Sequence, residues 1–312
     1  MTALTHAVLG GNGITGTETI RALLRRGEAV TSVGRRPCTI DGTHSETADL
    51  RSPADASRVL AGKDVAYFTV GLPYSARVWA AEWPVILSNV IDAAVQHGTH
   101  LVYLDNVYAY GEVDAPMTEQ TPLRPTSKKG QIRADAIRAL ETARTKRGLH
   151  VTVGRSADFY GPGATTSMIN DFVIDRAAAD KRCTWLFDAG LAHSLTYTPD
   201  IGEALAILGT DPVALNRTWH LPTAPALTGQ EYVEMAAGSD ARAKVMSLGT
   251  VRFGALFNSS ARETLELVYQ FAKPYVFDSS LFESTFSLAP TSAADGFAET
   301  LAAARNRNLT RS

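Results

Sequence analysis

The chain has 312 residues, a formal net charge of −2, and 45% apolar against 20% charged residues. A chain of that length buries about three quarters of its unfolded surface, enough for one large α/β unit or two joined lobes. The near-neutral charge excludes a general attraction to nucleic acid or an anionic membrane, and the two distant cysteines, Cys38 and Cys183, exclude a disulfide framework or a cysteine zinc site.

The start, MTALTHAVLGG, runs straight into a strand-like segment without a signal-peptide pattern. No stretch reads as apolar for long enough to span a bilayer, so the expectation is a protein of the reducing cytoplasm. Strands are expected at 6–10, 29–34, 64–71, 100–106 and 150–156. Most are nearly continuous apolar runs, as in a parallel sheet covered by helices on both faces.

Helices fill the gaps. Ser52 and Asp55 form a capping pattern with Pro53 at the first helical position, and Leu87, Val90, Ile91, Ala94 and Val95 make one apolar stripe that Gly98 ends. A charged helix spans 129–147, and Asp200 and Glu203 open another that stops by Gly209. This alternation predicts an α/β fold with a doubly wound parallel sheet. After Arg155 the pattern breaks up. Strands at 194–198 and 218–221 are expected to return to the sheet, giving a dinucleotide-binding domain over 1–160 with 194–221. Residues 161–193 and 222–312 make a smaller, discontinuous substrate-binding lobe.

VLGGNGITG sets Gly10, Gly13 and Gly16 between the first strand and the first helix. Glycines there permit a tight turn, close approach of backbone to a diphosphate and close helix–strand packing, with Asn12 and Ile14 between them. The second strand ends VGRRP. Gly34 stands where an NAD site usually carries an acid, and the guanidinium groups of Arg35 and Arg36 suit a 2′-phosphate, so NADP is favoured over NAD.

The glycine spacing resembles that of the extended and atypical short-chain dehydrogenase/reductases, which include the NAD-dependent epimerase/dehydratases. Asp49-Leu50 looks like that family's adenine-contacting segment; LVYLDNVYAYG, GRSADFYGPG, LTYTPDIGEAL and PTSAADGFAETLAA are similar to its later motifs. The resemblance covers nearly the whole chain. It implies a Rossmann domain, with Val70 and Gly71 also at the cofactor and a homodimer through the helices beside the fourth and fifth strands.

The same resemblance implies a catalytic Tyr-x-x-x-Lys pair with a Ser or Thr at the end of the fourth strand. Matching SKKGQIRA puts Lys129 at the lysine position and Pro125 at the tyrosine position; choosing Lys128 puts Arg124 there. Asn106 takes the hydroxyl position, where it can orient a carbonyl but cannot exchange a proton at neutral pH. Loss of a general acid costs about 10²–10⁴-fold in rate. Tyr160 and Tyr108 are the substitute donors of choice, with Asp158 and His193 also weighed, and Lys129 is read as a ribose or phosphate contact.

His193 falls where nucleotide-sugar enzymes often place an arginine. With Trp79, Trp83, Trp185, Phe187, Phe253, Phe257, Tyr275 and Phe282 assigned to a substrate lobe, this points to an uncharged cyclic or aromatic carbonyl, imine or enone. The first expectation is therefore an NADP-dependent oxidoreductase acting on a small molecule, with no metal. Alternatives are an epimerase or dehydratase with bound cofactor, and an NADP-binding sensor without turnover.

Overall fold

The computed structural model describes residues 4–255, 257 and 259–309. Its chain divides into two compact units. The first comprises Met1–Gly111, Leu123–Ser156 and Ile201–Leu221; the second comprises Glu112–Pro122, Ala157–Asp200 and Pro222–Ser312.

The first unit is built on a seven-stranded parallel sheet. In chain order its first six strands are β1 (Thr5–Leu9), β2 (Ala29–Gly34), β3 (His44–Thr47), β4 (Val65–Phe68), β5 (His100–Asn106) and β6 (Val151–Ser156). The seventh, Thr218–His220, pairs with β6 at one edge, and the spatial order from there is β6-β5-β4-β1-β2-β3. Strand order reverses between β1 and β4, which opens a crevice at the carboxyl ends of the strands. β3 escapes the pattern of apolar runs because it is a short edge strand, HSET, with no buried residue.

Helices α1 (Ile14–Arg25), α2 (Pro53–Leu60), α3 (Ala76–His97) and α4 (Lys128–Arg147) connect the strands. Ser52 caps α2 by accepting the Asp55 N–H, and Gly98 ends α3 in the left-handed region at φ 69°. Leu87, Val90, Ile91 and Ala94 of α3 bury against Leu101 and Tyr103 of the sheet and Leu140 and Ala143 of α4. At 22 residues α3 is long and apolar enough to cross a bilayer, against the sequence reading. Its stripe lies in the core between α2, α4 and the sheet.

Among the described residues, the second unit holds three two-stranded sheets. Asp158–Tyr160 pairs in parallel with Leu195–Tyr197, Thr184–Leu186 with Lys244–Met246, and Ala192–His193 runs antiparallel to Leu227–Thr228. The expected return of 194–198 to the large sheet is thus corrected. Leu195–Tyr197 finds its partner in the segment just after β6, and the return is made by Thr218–His220. Tyr160, Trp185, Tyr197, Tyr232, Phe271 and Phe297 form the aromatic heart of this unit's core.

Trp79 and Trp83 belong to α3 in the first unit, not to a substrate lobe, and are 5% and 3% exposed. Trp185, Tyr275 and Phe282 are interior residues of the second unit, whereas Phe253 and Phe257 are exposed.

Candidate functional site

The carboxyl ends of β1, β2 and β4, with the start of α1, line a cleft in the first unit. Its floor is the glycine turn. Gly10 has φ +87°, donates its N–H to the Val33 carbonyl at 2.8 Å, and accepts from the Gly13 N–H at 2.8 Å. A Cβ at Gly10 would stand 2.9 Å from the Thr69 carbonyl oxygen, and one at Gly16 would strike the Gly10 carbonyl. These two positions admit only glycine, for steric reasons the strand–helix junction imposes. Gly71, by contrast, meets nothing within 4 Å and leaves the cleft open above it.

The Asn12 amide donates to the carbonyls of Arg36 (2.8 Å) and Pro37 (3.1 Å), tying the glycine turn to the loop after β2. That loop presents Arg35 and Arg36 at the cleft, both exposed. On the facing wall the Arg51 guanidinium reaches both oxygens of Asp49 at 2.7–3.1 Å. That hydrogen bonding, helped by the Arg51 N–H, holds the Asp49 carboxyl below its ordinary range.

Of the residues expected at the cofactor, Gly10, Asn12, Gly13, Arg35, Arg36, Asp49, Leu50, Val70 and Gly71 line this cleft. Ile14 and Gly16 lie in the first turn of α1, whose amides lack partners within the helix. The sequence reading missed Arg51 and, from α3, Glu82 and Ile86. Arg51 follows Asp49-Leu50 directly and was within reach of that motif; the α3 pair is brought in only by packing. A floor of glycine amides, a helix start and two flanking arginines fit a dinucleotide diphosphate and its adenosine end.

A second cluster stands at the ends of β4 and β5. Lys129, on the first turn of α4, is fully buried, with its Nζ 4.5 Å from the centre of the Tyr74 ring. The Tyr74 and Tyr108 hydroxyls are 3.4 Å apart. Trp79 packs edge-on against Tyr74 and stacks on Tyr108 at 18°. A Cβ on Gly130 would come within 2.5 Å of the Tyr108 carbonyl, so the glycine after Lys129 lets α4 sit directly on the turn carrying Tyr108. Ser127 fixes that helix start by accepting the Gly130 N–H at 3.0 Å.

Asn106 accepts the Tyr108 N–H at 3.1 Å through its side-chain oxygen and so caps the turn Val107–Tyr110. Lys129 and Tyr108 are therefore both brought to Tyr74, and Asn106 braces the turn that carries Tyr108. Tyr74 escaped sequence reading because it lies far upstream, on the loop after β4, where no motif points to it.

Tyr160 is placed otherwise than expected. It is 1% exposed, packed on Phe297 and Tyr197 in the second unit's core, and burial pushes its phenol far up. It is a packing residue there, not an exposed donor. His193, 2% exposed, is sandwiched between Phe271 and Tyr275 with centroids 4.5 and 4.3 Å away, and its Nε2 lies 3.0 Å from an Asp158 carboxylate oxygen. The Asp158 N–H is donated to the Tyr275 hydroxyl at 3.2 Å. These contacts satisfy both residues inside their own unit.

The sequence model of the NAD dependent epimerase/dehydratase family matches residues 6–219. An uncharacterized UDP-glucose epimerase, YtcB of Bacillus subtilis, is 24% identical over 165 residues, covering 50% of this chain and 52% of its own length. The chain thus matches about half the length of that curated relative. Among solved structures, dTDP-glucose 4,6-dehydratase DesIV of Streptomyces venezuelae superposes with a TM-score of 0.78 at 19% identity, covering 97% of this chain and 98% of that one. UDP-glucose 4-epimerase of Thermus thermophilus, solved with NAD, gives 0.77 at 18% identity, covering 97% and 99%.

Proposed function

This chain belongs to the NAD dependent epimerase/dehydratase family, and from that premise we propose that it holds a nicotinamide dinucleotide in the first-unit cleft and works as an epimerase or dehydratase. The observation that carries this reading is the glycine turn at the strand-order reversal, facing Asp49-Leu50 across an open floor. When bound, the dinucleotide supplies reversible hydride acceptance, which makes a hydroxyl-bearing carbon transiently a carbonyl.

The chain's own residues do the rest. The turn 10–16 and the start of α1 hold the diphosphate, and Asp49 and Leu50 meet the adenine. Gly34 at the end of β2 leaves the ribose side to Arg35 and Arg36, which favours a 2′-phosphate and hence NADP. Lys129, at the start of α4, is fully buried against the Tyr74 ring and acts on the site through that ring rather than as a direct ribose contact. Asn106 holds the backbone turn that carries Tyr108.

A second reading, reduction of an uncharged cyclic carbonyl, imine or enone, is favoured by the aromatic surface of Tyr74, Tyr108 and Trp79 beside Lys129. A flat apolar ring stacks on such a surface. Calorimetry with NAD, NADH, NADP and NADPH tests the cofactor assignment, and absence of binding to all four removes it. With the tightest of them bound, UDP- and dTDP-hexoses are assayed for epimerised or dehydrated product, and quinones and enones for loss of reduced-cofactor absorbance. Binding without turnover on either panel would leave a sensor.

A further inference from the structure

The position that resemblance assigns to the catalytic tyrosine is Pro125, yet a phenol does stand beside Lys129. We propose that Tyr74, from the loop after β4, is the proton-exchanging group of this site, with Tyr108 as its relay and Lys129 as the cation that favours its ionised form.

Four observations converge on Tyr74. Its ring lies 4.5 Å from the Lys129 Nζ, within the range of a cation–π contact. Loss of the phenol proton makes that ring richer in electrons and puts a negative charge beside the ammonium, so the cation favours the phenolate. The side chain is 44% exposed, so substrate can reach the hydroxyl, whereas Lys129 beneath it is fully buried. Tyr74 also follows Val70, Gly71 and Leu72, which line the cofactor cleft, so the same loop serves both.

The Tyr108 hydroxyl, 3.4 Å from that of Tyr74, supplies the next hydrogen-bonding group. Its ring is held by Trp79, and its backbone by Asn106 on one side and the Gly130 approach on the other. The lysine has thus kept its place at the helix start while the phenol arrives from a different loop.

The proton inventory is simple. As a substrate carbonyl oxygen gains electron density, the Tyr74 O–H bond breaks and the substrate O–H bond forms. The phenolate left beside Lys129 recovers its proton from the Tyr108 hydroxyl, which takes one from water. In the opposite direction the Tyr74 phenolate accepts the proton of a substrate hydroxyl. This assignment rests on the site being a dinucleotide enzyme's, but its first test needs neither cofactor nor substrate.

Protein carrying ¹³Cζ-tyrosine is titrated by NMR, with the Tyr74 resonance assigned by its loss in Tyr74→Phe. Tyr74 is expected to ionise at a lower pH than an ordinary phenol, with a larger phenolate fraction at any given pH below that point. Lys129→Met and Tyr108→Phe each move it back up. An ordinary titration in the parent protein overturns the proposal, and so does a Tyr74 curve unmoved by a folded Lys129→Met. Should that variant not fold, the parent and Tyr108→Phe curves decide.

In turnover, Tyr74→Phe is expected to lose about 10²–10⁴-fold in kcat while dinucleotide affinity by calorimetry stays unchanged. Retained kcat with intact binding overturns the role of Tyr74 alone. A parent protein that binds no dinucleotide overturns the functional reading beneath it, whatever the titration gives.

Discussion

Asp105 and Arg155 face each other across adjacent strands β5 and β6, and the carboxylate takes the Arg155 Nε and Nη2 at 2.9 Å each with both side chains out of solvent. Arg155 Nη1 goes on to donate to the Tyr110 hydroxyl at 2.6 Å, itself 2.6 Å from the His220 Nε2. The pair thus ties the carboxyl ends of two strands to the turn after β5 that carries Tyr108. Asp105→Ala leaves a buried guanidinium without its counter-charge, and is expected to cost about 3–5 kcal/mol in urea unfolding. A loss under about 1 kcal/mol would mean that water reaches Arg155.

Gly10→Ala forces a side chain into φ +87° and against the Thr69 carbonyl. We expect a loss of about 1–3 kcal/mol in stability together with loss of dinucleotide binding. Denaturant melts and calorimetry on the same preparation check both, and a variant as stable and as tightly binding as its parent contradicts the turn described here.

Replacing Arg35 and Arg36 together by alanine should weaken NADPH binding by about tenfold or more, the worth of one or two charge-assisted hydrogen bonds, and leave NADH binding nearly unchanged. The decisive quantity is the ratio of the two dissociation constants. Equal weakening for both coenzymes would assign the arginines to the shared diphosphate instead.

His100 sits at the start of β5 with its Nε2 2.9 Å from the Thr152 hydroxyl. Burial, with repulsion from the neighbouring His150, pushes its pKa down from 6.5 to about 4. Between those values the unfolded chain binds a proton that the folded one does not, so this residue contributes a decline in stability as pH falls from 6.5 towards 4 and none above 6.5. His100→Gln should flatten that part of the profile measured by denaturant unfolding; an unchanged slope would show that the decline comes from other groups.

Tyr160→Phe removes one hydroxyl from a closed aromatic core whose contacts are made by the ring. Dinucleotide affinity and kcat are expected to stay at parental values, in contrast to Tyr74→Phe. Steady-state kinetics on the two variants side by side separates the phenol that packs from the phenol that reacts.

Backbone chemistry and periodicity made much of the first unit legible before any contact was known. The apolar runs at β1, β2, β4, β5 and β6 announce a covered parallel sheet because such strands have no wet face. Gly10 and Gly16 announce their turn because steric exclusion acts on neighbouring atoms along the chain. Ser52 and Gly98 mark helix ends for the same local reason.

Tertiary structure alone decided the rest. HSET became an edge strand through pairing with β2, and LTY joined DFY instead of the main sheet. It also put Trp79 on the wall of the Lys129 cluster, sent Tyr160 into a core, and brought Tyr74 over a lysine from a helix far along the chain. Periodicity and sterics bind each residue to its near neighbours. Which distant side chains meet is set by strand register and helix packing, to which no short stretch of sequence has access.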